Sequence, residues 1–155
     1  MPTPISHAAV GYALGVWGQR VPIRRVSIAA AACAALPDID LLFYPFVAHR
    51  GITHSLVFAF IVAIVATAVF FSLSRSIVIV LFLALLSHSG LDALSTYSVG
   101  IQFLAPFSDQ RYRFVWTPLG DPAGRLSRQL AQEVIVILVP ALVTIWLGRR
   151  IRATT

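Results

Sequence analysis

The most constraining feature of this sequence is an apolar run from Leu56 to Phe71 that only Thr67 interrupts. Similar blocks recur along the 155 residues, of which 58% are hydrophobic and 12% are charged. Because soluble domains carry about 25% charged residues, this composition is typical of a membrane protein. We expect a single integral membrane domain over residues 1–155, since the length leaves no room for a second domain of useful size.

Pro, Gly and Arg clusters divide the chain into five apolar segments, which predicts an all-α, polytopic membrane bundle of about five helices. Two segments are short for a bilayer that needs about 20 apolar residues, and three are long enough to span. The short ones are Ser6–Gly18 and Arg25–Leu36; the spanning ones are Thr53–Ser74, a segment beginning at Ser76, and Leu126–Leu147.

Single residues add local detail to this prediction. Ser6 is a candidate N-cap, Pro37 is expected to end the second helix, and Pro140 is expected to kink the fifth. Gly11 and Gly15 form a face of small residues suited to close helix contact. The stretch "MPTPISH" lacks the basic region of a signal peptide, so we expect no cleaved segment.

Between the fourth and fifth segments lies "VGIQFLAPFSDQRYRFVWTPLGDPAGR", an aromatic, Pro-rich and basic stretch. We interpret it as a loop or interfacial lid rather than another span. The net charge of +6 comes from twelve Arg. These are scattered between apolar blocks, which favours membrane topology and lipid headgroups over nucleic acid as their partner.

Alternation of the segments sorts the arginines into two groups. Seven would lie on one side and five on the other, which favours the first side as cytoplasmic. The seven are Arg20, Arg24, Arg25, Arg75, Arg149, Arg150 and Arg152, and the five are Arg50, Arg111, Arg113, Arg125 and Arg128.

The same alternation brings all four histidines and three of the six acidic residues to the opposite, extracytoplasmic side. Ionisable groups within a helix cost about 2.5–3.5 kcal/mol each on insertion scales, so a cluster must neutralise itself or bind cations. Imidazole and carboxylate ligands without thiolate suit Zn, Mn or Fe. The candidate ligands are His7, Asp38, His49, His54, His88 and Asp92, with Asp40 beside them.

Taken singly, these residues have structural explanations as well. His7 is also a plausible headgroup contact, and Asp38 with Asp40 a plausible turn. A helical rise of about 1.5 Å per residue places His54 about 26 Å from Phe71 and therefore shallower than the other ligands. A tilted third helix or an inward-dipping loop is needed to bring His54 to the site.

In order along the chain, "HAAVGYALG", "LPDIDLL", "HRGITHS" and "SHSGLDALSTYSVGIQFLAPFSDQRY" resemble the LexA-regulated, inner-membrane metal-dependent hydrolases of the YdjM-like family, over roughly positions 5–115. That family is in turn likened to the zinc-dependent phospholipase C and single-strand nuclease group. The resemblance implies a prokaryotic inner-membrane hydrolase with two or more metals. It also implies the six ligands named above, with Asp40 less firmly assigned.

Metal-activated water would then hydrolyse a phosphoester of a phospholipid or polyprenyl phosphate, because a site beneath an amphipathic lid selects amphiphilic substrates. Arg50 is the first candidate clamp for the phosphate, and Arg111 or Arg113 a second. Asp38 or Asp40 is the candidate general base. Arg111 and Arg113 are equally well explained as interfacial anchors.

Three other functions remain open. A membrane amidase or protease lacks support, because no HExxH motif is present. A metal transporter or sensor would need polar residues in the cytoplasmic half, where "IVIVLFLALL" has none. A purely structural metal would require a coordinatively closed site. The sequence leaves the oligomeric state open.

Overall fold

The computed structural model describes residues 2–19, 24–44, 46, 48–96, 99–121 and 123–153. Arg20, one of the seven arginines counted above, lies outside the described residues. Within these ranges the chain forms helices and two isolated β-bridges, Ser95 with Leu119 and Ile101 with Tyr112, and no strand. The all-α prediction is therefore confirmed.

Six α-helices and three other helical turns make up the described fold. The α-helices are α1 (Pro4–Trp17), α2 (Arg24–Ala35), α3 (Leu56–Phe70), α4 (Arg75–Ala93), α5 (Leu126–Glu133) and α6 (Val139–Ala153). A 3₁₀ helix, Leu36–Phe43, continues α2; a 3₁₀ turn, Ile52–His54, precedes α3; and a π-helical turn, Val134–Leu138, joins α5 to α6. Counted as continuous segments, these are the five helices that the sequence predicts.

The second and third segments differ from their predicted bounds. The α-helix of the second segment ends at Ala35, close to Pro37 as predicted. A 3₁₀ helix then continues the segment, with Pro37 in its first turn, where its missing N–H removes no hydrogen bond. Among the described residues, three helices are long and apolar enough to span a membrane, which is the predicted number: Arg24–Phe43, Arg75–Ala93 and Leu126–Arg152. The second segment, which was predicted to be short, is therefore one of the candidate spans. The third, which was predicted to span, is not, because α3 has only 15 residues.

One local prediction, the N-cap of the first helix, needs correction. Thr3 rather than Ser6 is the N-cap of α1, and its side chain accepts a hydrogen bond from the Ser6 N–H at 3.4 Å. In the fifth segment a π-helical turn, Val134–Leu138, lies directly before Pro140, which stands in the first turn of α6. Such turns interrupt a helix without ending it.

Small residues bring α1 and α2 into close contact, as the sequence predicts. A Cβ added at Gly11 would lie 2.4 Å from the Ala30 carbonyl oxygen, and one at Gly15 would lie 2.4 Å from Ser27 Cα. Any larger residue at either glycine would push the helices apart. This contact holds the beginning of α1 against the end of α2, where candidate ligands lie.

The apolar core lies between α2, α3 and α4. Its buried side chains include Ala30, Cys33, Ala63, Leu81 and Leu85. Cys33 therefore serves as a small packing residue, as expected. The C-terminal end of α1 lies beside the start of α4, through a Gln19–Ser76 hydrogen bond of 3.1 Å. The candidate ligands occupy the other end of the bundle, beyond the core.

Candidate metal centre

The predicted ligands converge at one end of the bundle, from four parts of the chain. α1 supplies His7, and the 3₁₀ helix after α2 supplies two aspartates. The loop and 3₁₀ turn before α3 supply His49 and His54, and α4 supplies His88 and Asp92 on one face. We call this set the His/Asp cluster: His7, Asp38, Asp40, His49, His54, His88 and Asp92. Apart from half-buried His49, each member is at most 9% exposed.

His54 and His88 form the centre of the cluster, with their Nε2 atoms 3.1 Å apart. His88 Nε2 lies 3.4 Å from Asp38 Oδ1, and His54 Nε2 lies 3.8 Å from Asp92 Oδ2. One ligand atom from each of these four residues falls within 4.8 Å of the others. The four are therefore spaced to hold one metal ion.

Asp40, His49 and His54 form a second group with the same spacing. Asp40 Oδ1 lies 2.8 Å from His49 Nδ1. Its Oδ2 accepts hydrogen bonds from the Thr53 hydroxyl at 2.8 Å and from the Arg50 backbone N–H at 3.2 Å. Since His54 belongs to both groups, they are adjacent parts of one site.

His7 closes the side of the cluster that faces α1. Its ring stacks on His88 with centroids 3.8 Å apart, and its Nε2 lies 3.5 Å from Asp92 Oδ1. Glu133 fixes the helix start nearby: its Oε2 accepts hydrogen bonds from the Thr3 N–H at 2.8 Å and the Ser6 hydroxyl at 3.0 Å. α5 thereby holds the residue that precedes His7.

Arg50 enters the cluster from a backbone conformation that residues other than glycine rarely adopt, with φ of 64°. Its Nε donates to Asp92 Oδ2 at 3.0 Å, and its backbone carbonyl accepts from the Gln102 N–H at 3.2 Å. The side chain is nearly buried. Such conformations cost about 1–3 kcal/mol and persist where surrounding contacts impose them, often at functional sites.

Several buried atoms of the cluster have no hydrogen-bond partner among the described residues. They are both ring nitrogens of His7, both carboxylate oxygens of Asp38, Nε2 of His49 and Oδ1 of Asp92. Native proteins pair nearly all buried polar atoms, so such a concentration in one place needs an explanation. A bound cation would satisfy the oxygens and the unprotonated ring nitrogens together.

The segment from residue 99 to 121 lies over the site end, as the lid prediction requires. Its backbone is tied to the turn before α3, where the Leu56 N–H donates to Phe103 O at 3.0 Å, and to α4, where the Phe114 N–H donates to Ala93 O at 3.2 Å. Beyond the lid, Arg125 Nε donates to Asp121 Oδ2 at 2.6 Å. This bond holds the pKa of the Asp121 carboxyl below its usual range.

The two predicted lid arginines are not brought to the ligands. Arg111 donates from Nη1 to the Gly100 carbonyl at 3.1 Å, and Arg113 is exposed beside Phe114 and Val115. No contact between either side chain and the His/Asp cluster is found among the described residues. Of the three predicted phosphate-binding arginines, only Arg50 touches the cluster.

Sequence reasoning missed three groups that hold the ligands. The Thr53 hydroxyl bridges Asp40 and His54; the Ser89 hydroxyl donates to the His54 carbonyl at 2.8 Å; and the Ala34 carbonyl lies 2.7 Å from His88 Nδ1. Thr53 and Ser89 each adjoin a predicted ligand, which was the available signal. The Ala34 carbonyl has no counterpart in a side-chain pattern.

The shallow position calculated for His54 is also resolved. α3 begins only at Leu56, and extended Ser55 separates it from the 3₁₀ turn Ile52–His54, so His54 does not continue the axis of α3 and the depth calculated along one helix does not apply to it. His54 consequently reaches His88.

Comparison with known proteins gives two matches. The family model described as YdjM inner membrane protein matches residues 1–152. The chain is also 35% identical to the inner membrane protein YbcI of Escherichia coli strain K12, over 95% of this chain and 92% of that protein. No solved structure matches.

Proposed function

This chain belongs to the YdjM family of inner membrane proteins, and we propose that it acts there as a membrane-embedded metal-dependent hydrolase. Its substrates would be phosphoesters of phospholipids or polyprenyl phosphates. The observation that carries the proposal is the set of buried side-chain atoms in the His/Asp cluster that make no hydrogen bond within the described part of the chain. A protein that needed these residues only for packing would pair them with one another.

The donor set fits divalent metal ions. Asp38, His54, His88 and Asp92 would hold one ion, with His7 beside them, and His49 extends the site toward a second. Nitrogen and carboxylate ligands suit zinc, with manganese or iron as alternatives. A bound divalent ion supplies a Lewis acid for a phosphoryl oxygen and lowers the pKa of a water.

Arg50 is the group best placed to bind the phosphate. Of the three guanidinium nitrogens of Arg50, only Nε forms a hydrogen bond within the described part of the chain, and its acceptor is Asp92. Both terminal nitrogens are thus left for an anion. A planar guanidinium suits bidentate contact with phosphoryl oxygens. Because the side chain is nearly buried, its charge acts in a medium that screens it less than water does.

Asp38 and Asp40 differ in their availability as a general base. Both Asp38 oxygens lack a hydrogen bond from any described residue, whereas both Asp40 oxygens accept hydrogen bonds. A base needs a free lone pair directed at the proton that it removes. These contacts favour Asp38 over Asp40 as the general base. Asp38 is also a candidate metal ligand.

Exposed apolar residues around the site support a lipid substrate. Phe46 is 94% exposed at one edge, and Phe107 and Trp116 are 84% and 72% exposed on the lid. Aromatic side chains of this kind favour the membrane–water interface. A lipid phosphate would reach Arg50 from that interface, on the extracytoplasmic side if the arginine count gives the orientation. Arg111 and Arg113 would then contact headgroups at the rim.

Metal analysis of the full chain, purified in detergent, tests the metal site. We expect two or more zinc, manganese or iron ions per chain. Incubation with phospholipids and polyprenyl phosphates should then release phosphate or headgroup. A folded chain that binds none of these metals, even when they are added, would refute the proposal. Metal binding with no hydrolysis of either lipid class would refute the phosphoesterase assignment and leave a metal-binding membrane protein.

A further inference from the structure

Asp40 accepts hydrogen bonds from three directions and is less than 2% exposed. Its Oδ1 contacts His49 Nδ1 at 2.8 Å, and its Oδ2 contacts the Thr53 hydroxyl at 2.8 Å and the Arg50 N–H at 3.2 Å. An ionised carboxylate only accepts hydrogen bonds. His49 Nδ1 must therefore carry a proton, and the Thr53 hydroxyl must point its proton at Asp40.

Thr53 transmits this constraint to His54. A hydroxyl has one proton, and that of Thr53 is given to Asp40. Toward His54 Nδ1, at 3.0 Å, the oxygen can only accept. His54 Nδ1 must then donate. His88 is constrained in the same sense by the Ala34 carbonyl, which accepts from Nδ1 at 2.7 Å.

We infer that Asp40 and Thr53 are positioning residues that fix His49 and His54 with the proton on Nδ1 and the lone pair on Nε2, so that both rings present Nε2 to metal. Two observations on the Nε2 side agree. His49 Nε2 is buried and makes no hydrogen bond to a described residue, and the Nε2 atoms of His54 and His88 face each other at 3.1 Å. Two lone pairs so close repel unless a cation lies near both.

This inference rests on the proposed metal site and excludes a competing arrangement of it. If Asp40 were itself a ligand, His49 and His54 would have to offer their Nδ1 atoms to the metal alongside it. Thr53 would then have no reason to lie between Asp40 and His54. Groups that orient a ligating histidine typically change metal affinity by about 10–100-fold when they are removed.

Thr53→Val, with Thr53→Ser as the matched control, tests the inference. The first removes the hydroxyl at nearly constant volume, and the second keeps it. Nitrogen NMR of histidine-labelled, metal-free protein reports which ring nitrogen carries the proton. We expect Thr53→Val to lose the Nδ1–H form of His54 and to bind zinc about 10–100-fold more weakly in chelator competition, and Thr53→Ser to retain both.

Asp40→Asn supplies an independent test at His49. The amide keeps the side-chain shape but replaces one acceptor by a donor, so we expect the Nδ1–H form of His49 to be lost as well. Unchanged ring protonation in Thr53→Val and Asp40→Asn would overturn the inference. Failure of the proposed function would give a different result from failure of this inference. The wild-type protein would then bind no metal, although its histidine rings would keep the Nδ1–H form.

Discussion

Two buried polar regions lie at the same end of this bundle and differ in one respect. Glu133 is 2% exposed, yet its carboxylate accepts hydrogen bonds from the Thr3 N–H and the Ser6 hydroxyl. The His/Asp cluster, buried apart from half-buried His49, leaves both oxygens of Asp38 and both nitrogens of His7 without a hydrogen bond from any described residue. Glu133 is explained by the helix that it holds, whereas the His/Asp cluster has the spacing of a site that could hold a metal ion.

His88→Ala should have the largest effect, because His88 contacts three other cluster members. We expect loss of bound metal and of hydrolysis, measured by metal analysis and phosphate release. Thr67→Val, a buried change in α3, is the control and should retain both, because the Thr67 hydroxyl donates to Ala63 O within its own helix. Full metal occupancy in His88→Ala would show that His88 is not a metal ligand.

Arg50→Lys separates phosphate binding from metal binding. The ammonium keeps the charge but not the planar pair of donors, so we expect turnover to fall about 10²–10³-fold, as for removal of a transition-state donor. Metal content should stay at the wild-type value. Arg128→Lys, at an exposed position, is the matched control. A parallel loss of metal and turnover would show that Arg50 supports the ligands instead.

Glu133→Ala should produce the opposite pattern. Removing the carboxylate leaves the Thr3 N–H and Ser6 hydroxyl without their partner, which costs about 1–3 kcal/mol of stability per group left buried and unsatisfied. Denaturant unfolding in detergent should record this loss. Metal content per folded chain should remain unchanged. Loss of metal without loss of stability would place Glu133 in the site.

Arg125→Ala should have the smallest effect, confined to acid. Because Arg125 lowers the pKa of folded Asp121, its contribution to stability is complete above the unfolded value near 3.8 and is lost as pH falls through the lower folded value. We expect the variant to unfold at a slightly higher pH in acid titration. Arg128→Ala removes a longer contact of 3.9 Å and should shift that midpoint less.

Periodicity and charge were sufficient to predict the bundle and the meeting of its ligands. Apolar runs separated by Pro, Gly and Arg gave five helices, and alternation alone placed His7, His88 and Asp92 at one end. The resemblance to the YdjM family is confirmed by the family match. Regulation by LexA and likeness to phospholipase C stay predictions.

Other features depend on interactions that side-chain patterns do not contain. Pro37 fits within a 3₁₀ helix, so the second segment is longer than its apolar run. The Ala34 carbonyl orients His88 through the backbone, and any residue at that position would offer the same oxygen. Thr53 was visible in "HRGITHS", but its role appears only once Asp40 and His54 are brought together.

The π-helical turn at Val134–Leu138 sets the rotational phase between the two halves of the last helix. Such a turn accommodates one extra residue, and one residue of α-helix corresponds to about 100° of rotation. Glu133 faces α1 on one side of the turn, while on the other Thr144 O accepts from Trp17 Nε1 at 2.8 Å. A one-residue deletion in the turn would turn one of these contacts away from α1. The length of this apolar stretch is therefore as constrained as its composition.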